Sequence, residues 1–196
     1  MRLSREERRS RILDAAIACA TRSGFRGASM DEIAREAGIS VGVIYRHFKC
    51  KEAIIEAIVA RDLAELQNKI AGIGELPPRE LLALFAADVP GFVQRQREPA
   101  RAALRLEIYA EAARNPRVEA ILRGFTEAER DIGRQFFRQT LQRPATHAEL
   151  TARADMLRVI ADGLLASGLY AGDNDAAFVT VLAEVMRRLL TDPART

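Results

Sequence analysis

Between Ser29 and Glu52 the sequence reads as two short helices with a forced turn between them, and that pairing limits the folds open to the chain. Ser29 with Glu32 three residues on makes an S-x-x-E capping box, a signature of a helix start. Ile33, Ala34 and Ala37 supply the buried stripe, Ala34 being small enough for a second helix to cross closely. Gly38 stands where the chain turns through a left-handed conformation that a side chain resists. Ser40 caps a second short helix, in which Ile44 and Phe48 repeat at i, i+4 and face inward. Val41, Gly42, Val43, Tyr45, Arg46 and His47 are left to face outward. A short helix with small residues at its start and hydrogen-bonding residues further along suits the major groove of a duplex.

Residues 12–54 resemble the N-terminal domain of TetR/AcrR-type transcriptional regulators. The resemblance is carried by Ile12-Leu13-Asp14-Ala15-Ala16, Gly24-Phe25, Met30 to Ala34, Ala37 to Ser40, Val41 to Phe48 and Lys51-Glu52. It implies a helix-turn-helix domain over 1–50 and a helical effector-binding and dimerisation domain over 51–196. It also implies a regulator, above all a repressor, released from a pseudo-palindromic operator when a small molecule binds the C-terminal domain. Tyr45 and His47 then fall at phosphate-contacting positions, Arg46 at a guanine edge or a phosphate, and Lys51 at the phosphate-binding lysine of the next helix. Val41, Gly42 and Val43 suit close backbone approach and thymine methyl groups. Ser29 and Ser40 either donate to phosphate or serve as caps alone.

Charge supports one-ended binding to a polyanion. Residues 1–52 hold eleven Lys and Arg against seven acids, a surplus of four, whereas the whole chain carries only +3. Hydrophobic residues make up 48% of 196, which excludes global disorder and allows a sizeable core. The basic start followed by Ile12 to Ala20 imitates a secretory leader, but Asp14, Glu6 and Glu7 break the pattern. No run of about 18 apolar residues exists, so the expectation is a cytoplasmic protein with no membrane partner.

The fold class expected is all-α, with about nine helices and no strand pattern. Helices are expected at Arg5–Arg22, Met30–Ala37, Val41–Phe48, from Lys51 to before Gly72 and Gly74, from Pro78, Pro99–Arg114, Arg117–Gln142, Ala148–Ala171 and Ala176–Thr191. Pro90-Gly91 predicts a kink or break in the helix begun at Pro78. Gly172-Asp173-Asn174-Asp175 separates the last two helices.

Those last helices are apolar on more than one face, and a second apolar face calls for a partner. Leu157, Ile160, Leu164 and Gly168, with Phe178, Leu182, Val185 and Leu189, are the candidate interface of a homodimer built as a four-helix bundle. The alternative is a helix pair buried within one subunit. The resemblance further implies an effector site in the middle helices, where Phe85, Phe92, Arg105, Glu107, Tyr109 and Phe125 are candidate ligand contacts; the bland alternative is that these residues fill the core.

His47 and His147 are the only histidines and lie in different modules, so no Ser/His/Asp or Cys/His arrangement is expected, nor a cofactor or metal site. Cys19 and Cys50 match neither a zinc nor a CxxC spacing. Cys50 takes the N-cap place of the helix begun by Lys51, which leaves thiol-responsive regulation as one alternative. A DNA-coating structural protein that senses nothing is the other.

Overall fold

The computed structural model describes residues 4–73, 76–141, 143–170 and 176–191. Among them are ten helices: α1 (Arg5–Gly27), α2 (Met30–Glu36), α3 (Val41–His47), α4 (Lys51–Ile73), α5 (Pro78–Ala87), α6 (Val89–Gln96), α7 (Pro99–Ala112), α8 (Pro116–Thr140), α9 (His147–Ser167) and α10 (Ala176–Leu190). No described residue lies in a strand. The tenth helix comes from the interruption expected at Pro90. It falls at Asp88, whose backbone ends α5 and starts α6, and Pro90 sits in the first turn of α6, where a missing N–H costs nothing. The expected linker Gly172 to Asp175 lies outside the described residues, as do Gly74, Gln142 and Ala171.

The chain packs as two units. The first takes in the chain through Leu63 together with Ala103–Phe125; the second takes in Ala64–Ala102 and the chain from Thr126. The sequence boundary at residue 50 therefore cuts through the first unit. Its core runs from Ile12, Leu13 and Ala16 of α1 through Ile33, Ala34, Ile44 and Phe48 to Ile54, Ile55 and Ile58 of α4, then Ile108 of α7 and Val118 and Phe125 of α8. The long α1 and the two seven-residue helices α2 and α3 do not close this core by themselves, and α4, α7 and α8 complete it.

In the second unit two apolar clusters form. Leu81 of α5 joins Phe136 and Phe137 of α8, Leu141 just after it, Leu150 and Ala154 of α9 and Leu190 of α10. Val89 and Val93 of α6 join Leu164 of α9 and Leu182 and Met186 of α10. The α5–α6 break thus sends the two halves of one apolar stretch into different clusters.

Candidate nucleic-acid interface

The turn before α3 is built as its sequence dictates. Ser29 accepts from the Glu32 amide at 3.1 Å while Glu32 accepts from the Ser29 amide at 2.9 Å, so both orphan donors are used. Those hydrogen bonds, the backbone one foremost, hold the Glu32 carboxyl below its usual range. At the other end of α2, Gly38 adopts φ +63. The Gly38 amide bonds to the Arg35 carbonyl at 3.1 Å and the Ile39 amide to that of Ala34 at 3.0 Å. This is a Schellman closure, with glycine at its left-handed position.

In α3 only Ile44 is fully buried, and Phe48 follows it into the core. Gly42, Tyr45 and Arg46 are exposed, while Val41, Val43 and His47 are half-buried. The outward face is therefore narrower than the sequence suggested, since Val41 packs on the first unit's core. A Cβ built at Gly42 meets no atom within 4 Å, so its smallness serves nothing inside this chain. The two serines part company. Ser29 is bound into its box, whereas the Ser40 side chain makes no capping bond.

Two flanks of α3 carry positive charge. On the C-terminal side, Lys51 opens α4 and its Nζ donates to the Phe25 carbonyl at 2.7 Å. Arginines of α1 lie at both ends of α3. Arg9 places its guanidinium 5.1 Å from the Phe48 ring centroid, and Arg11 reaches Gly38. Burial first, then the charges of Arg5, Arg8, Arg46 and Arg9, push the His47 imidazole below its usual value. The signal available in the sequence was the run Arg5, Arg8, Arg9, spaced i, i+3, i+4 along one helix face.

The junction of α1 and α2 is held from behind. Gly24 breaks α1 with φ 71 and ψ 161, and the Phe25 amide donates to Glu107 Oε2 of α7 at 3.4 Å. Arg105, on the same helix, pairs with Asp62 of α4 at 3.9 Å and lies 4.8 Å from the Phe125 ring centroid. Asn115 donates to Glu52 at 3.1 Å. The Glu52 carboxyl is held low by its own backbone amide, then by hydrogen bonds to Cys50 and Asn115.

The six candidate ligand contacts divide between the two units. Arg105, Glu107, Tyr109 and Phe125 belong to the first unit, and Phe85 and Phe92 to the second. Phe85 stacks on Phe136 with centroids 4.6 Å apart, and Phe92 packs with the other cluster. Arg105 and Glu107 are engaged in the bonds just described.

The candidate dimer residues also divide. Leu164 and Leu182 are buried in their own chain, and Leu157, Ile160 and Leu189 pack against those cores. Gly168 is used internally as well: a Cβ there would come 2.8 Å from the Arg97 backbone, whose guanidinium donates to Ser167 Oγ at 3.0 Å and covers Phe178. These helices turn one apolar face to α6 and α8, which the repeat alone cannot separate from a face turned to a partner. What stays exposed is a different stripe, with Met156 and Val159 on α9 and Phe178, Val181 and Val185 on α10. Of the eight, Phe178 and Val185 lie on it.

An exposed short helix behind a Schellman turn, flanked by cations, defines a helix-turn-helix module. The profile of the bacterial regulatory proteins of the tetR family matches residues 12–58. The regulator UidR of Escherichia coli K12 is 36% identical over 127 residues, covering 63% of this chain and 61% of its own length. SrpR of Pseudomonas putida is 27% identical over 205 residues, covering 97% and 88%. Among solved structures, GusR of Salmonella enterica superposes with a TM-score of 0.74 at 26% identity, covering 96% and 97%. Residues 12–58 thus match the tetR-family N-terminal module, and over most of its length the chain is similar to SrpR and to GusR. Among the described residues no helix is long and apolar enough to cross a membrane.

Proposed function

We propose that this protein is a dimeric, ligand-responsive transcriptional regulator that represses by occupying a pseudo-palindromic operator. The observation that carries the reading is the outward face of α3. There Gly42 has open space around it, Tyr45 and Arg46 are exposed, and the Ser40 hydroxyl is not spent on capping. Such a face offers hydrogen-bond donors and close backbone approach to a groove. Lys51 adds a cation at the start of α4, two of its three ammonium protons remaining for phosphate beside the bond to Phe25.

Two copies are needed because one seven-residue helix reads too few base pairs for specificity. The exposed stripe of Met156, Val159, Phe178, Val181 and Val185 is the surface a second copy covers, with α9 and α10 from each subunit forming a four-helix bundle. The effector enters the second unit near the α5–α6 break, where Phe85 and Phe92 serve different clusters and packing is already divided. It releases DNA by binding more tightly to the conformer whose recognition helices are wrongly spaced; equal affinity for both conformers would shift nothing.

The test is selection of duplexes by the purified protein from a random-sequence pool, followed by competition of the enriched duplex against random DNA. Enrichment of an inverted repeat bound at least about 10³-fold more tightly than random DNA supports a specific regulator. Equal affinity for both would make this a DNA-coating protein instead.

A further inference from the structure

The first turn of α4 is tied to a single side chain at the corner between α7 and α8. Asn115 Nδ2 donates to Glu52 Oε1 at 3.1 Å and to Glu111 Oε1 at 3.4 Å. Its Oδ1 accepts from the Arg117 amide at 3.1 Å, which caps the start of α8. An amide nitrogen faces the two carboxylates and an amide oxygen meets the N–H, so chemistry fixes which way the Asn115 side chain lies. Its backbone is committed as well. The Asn115 amide donates to the Glu111 carbonyl, and the Asn115 carbonyl accepts from the Glu119 amide, both at 2.9 Å. One residue thus finishes the turn after α7, opens α8 and holds α4.

These bonds continue into a ring around Lys51. Glu107 and Glu111 stand one turn apart on one face of α7. Glu107 accepts from the Phe25 amide, and the Phe25 carbonyl accepts from the Lys51 ammonium at 2.7 Å. Glu52, next to Lys51 in the chain, closes the ring onto Asn115. Lys51 is therefore held twice, its ammonium by the α1–α2 junction and its backbone through the neighbouring Glu52. A lysine stem is flexible, so where its ammonium sits depends on both holds. The Glu52 carboxyl is held low by its own backbone amide, then by Cys50 and Asn115, and so stays ionised as the acceptor that the ring needs.

We infer that Asn115, acting through Glu52, is a positioning residue for DNA binding: it fixes the first turn of α4 and so aims the Lys51 ammonium at the phosphate backbone. This rests on the reading of Lys51 as a phosphate-gripping residue. Asn115 needs no contact with DNA for this role; it keeps Lys51 within reach of a phosphate while α3 enters the groove. Because a phosphate contact carries no sequence information, a lysine left to swing loses affinity for every duplex alike.

The test compares the full-length wild type with Glu52→Ala, Glu52→Gln, Asn115→Ser and Lys51→Ala, and with Lys51→Ala combined with Glu52→Ala or Asn115→Ser. Glu52→Ala and Glu52→Gln remove the same charge, but glutamine still accepts from Asn115. Asn115→Ser keeps a capping residue for α8 and loses the amide that reaches Glu52. Binding is measured across a salt series to the duplex enriched from the random pool and to a random-sequence duplex. Urea denaturation checks that each variant is folded; should Asn115→Ser not be, the Glu52 pair decides alone. Relative to Glu52→Gln, Glu52→Ala is expected to bind both duplexes about three- to tenfold more weakly, as Asn115→Ser does relative to the wild type. Each lysine withdrawn from a phosphate takes up to about 0.9 from the slope of log affinity against log salt. In the Lys51→Ala background neither change should lower the slope further. Equal slopes for Glu52→Ala and Glu52→Gln overturn the inference, as does an equal loss with and without Lys51. An unchanged slope in Lys51→Ala overturns it while leaving α3 as the groove reader. A wild type that binds neither duplex overturns the DNA-binding reading itself.

Discussion

The ammonium of Lys51 and the carbonyl of Phe25 are joined at 2.7 Å, which ties the first residue of α4 to the junction between α1 and α2. On the other side of the same residue, the Phe25 amide donates to Glu107. One peptide position is thus gripped from α4 and from α7. A lysine in this place serves the fold and, in the proposed complex, the DNA. Lys51→Ala should cost about 1 kcal/mol of stability by leaving a partly buried carbonyl unmet. It should also reduce the salt slope of operator binding by about 0.9. Urea denaturation separates the first effect from the second; an unchanged salt slope would confine Lys51 to the structural role.

Gly24 carries a φ of 71 with ψ 161, a region almost closed to residues with a side chain, and a Cβ would lie 2.9 Å from Glu107 Oε2. Gly24→Ala should therefore lower unfolding free energy by about 2 kcal/mol. Adding Glu107→Ala removes the clash but not the backbone strain, so the double variant should recover only part of the loss. Full recovery would mean that the strain is negligible.

His47 gives a pH dependence with a definite sign. Burial, then Arg5, Arg8, Arg46 and Arg9, hold its folded value below the ordinary 6.5. The stability tied to the neutral ring is complete above pH 6.5. It is lost as pH falls from there through the folded value, because the unfolded chain takes up the proton first. Bound phosphates favour the protonated ring, so DNA binding takes up a proton. Operator affinity should rise as pH drops from about 8 to about 6, and His47→Gln should flatten the profile. A flat wild-type profile would remove His47 from the phosphate face.

Val181 is 65% exposed and sits between Phe178 and Val185 on α10. Val181→Glu places a charge inside the proposed subunit interface, where it would be desolvated without a partner. Sedimentation should show a folded monomer with operator binding weakened by more than tenfold, since one half-site contact is lost. A dimer unaffected by this change would place the interface elsewhere.

How far the sequence reached follows physical lines. The turn was legible because a capping box, a glycine in the left-handed region and an i, i+4 core pair each act over a few residues. The break near Pro90 was legible for the same reason, though it fell two residues early, because proline is welcome in the first turn of a helix. Gly24 stands in the family pattern, but its backbone role is not a local one. That role depends on α7 lying behind it, a contact between residues more than eighty apart in the chain. Which faces of α9 and α10 turn outward was not legible for a related reason. Both helices are apolar on several sides, and only tertiary packing decides that Leu164 turns inward and Val159 outward. Arg5, Arg8 and Arg9 read in the sequence only as charge, because their place beside His47 and Phe48 is set by packing.

The most direct measurement of the central claim is a hydroxyl-radical footprint of the dimer on the enriched duplex. Two protected patches on one face of the DNA, centred about 34 Å apart and each lost on α3 substitution at Tyr45 or Arg46, are the expected result. Uniform protection along the duplex, or protection untouched by changes in α3, would contradict a pair of helices reading successive grooves.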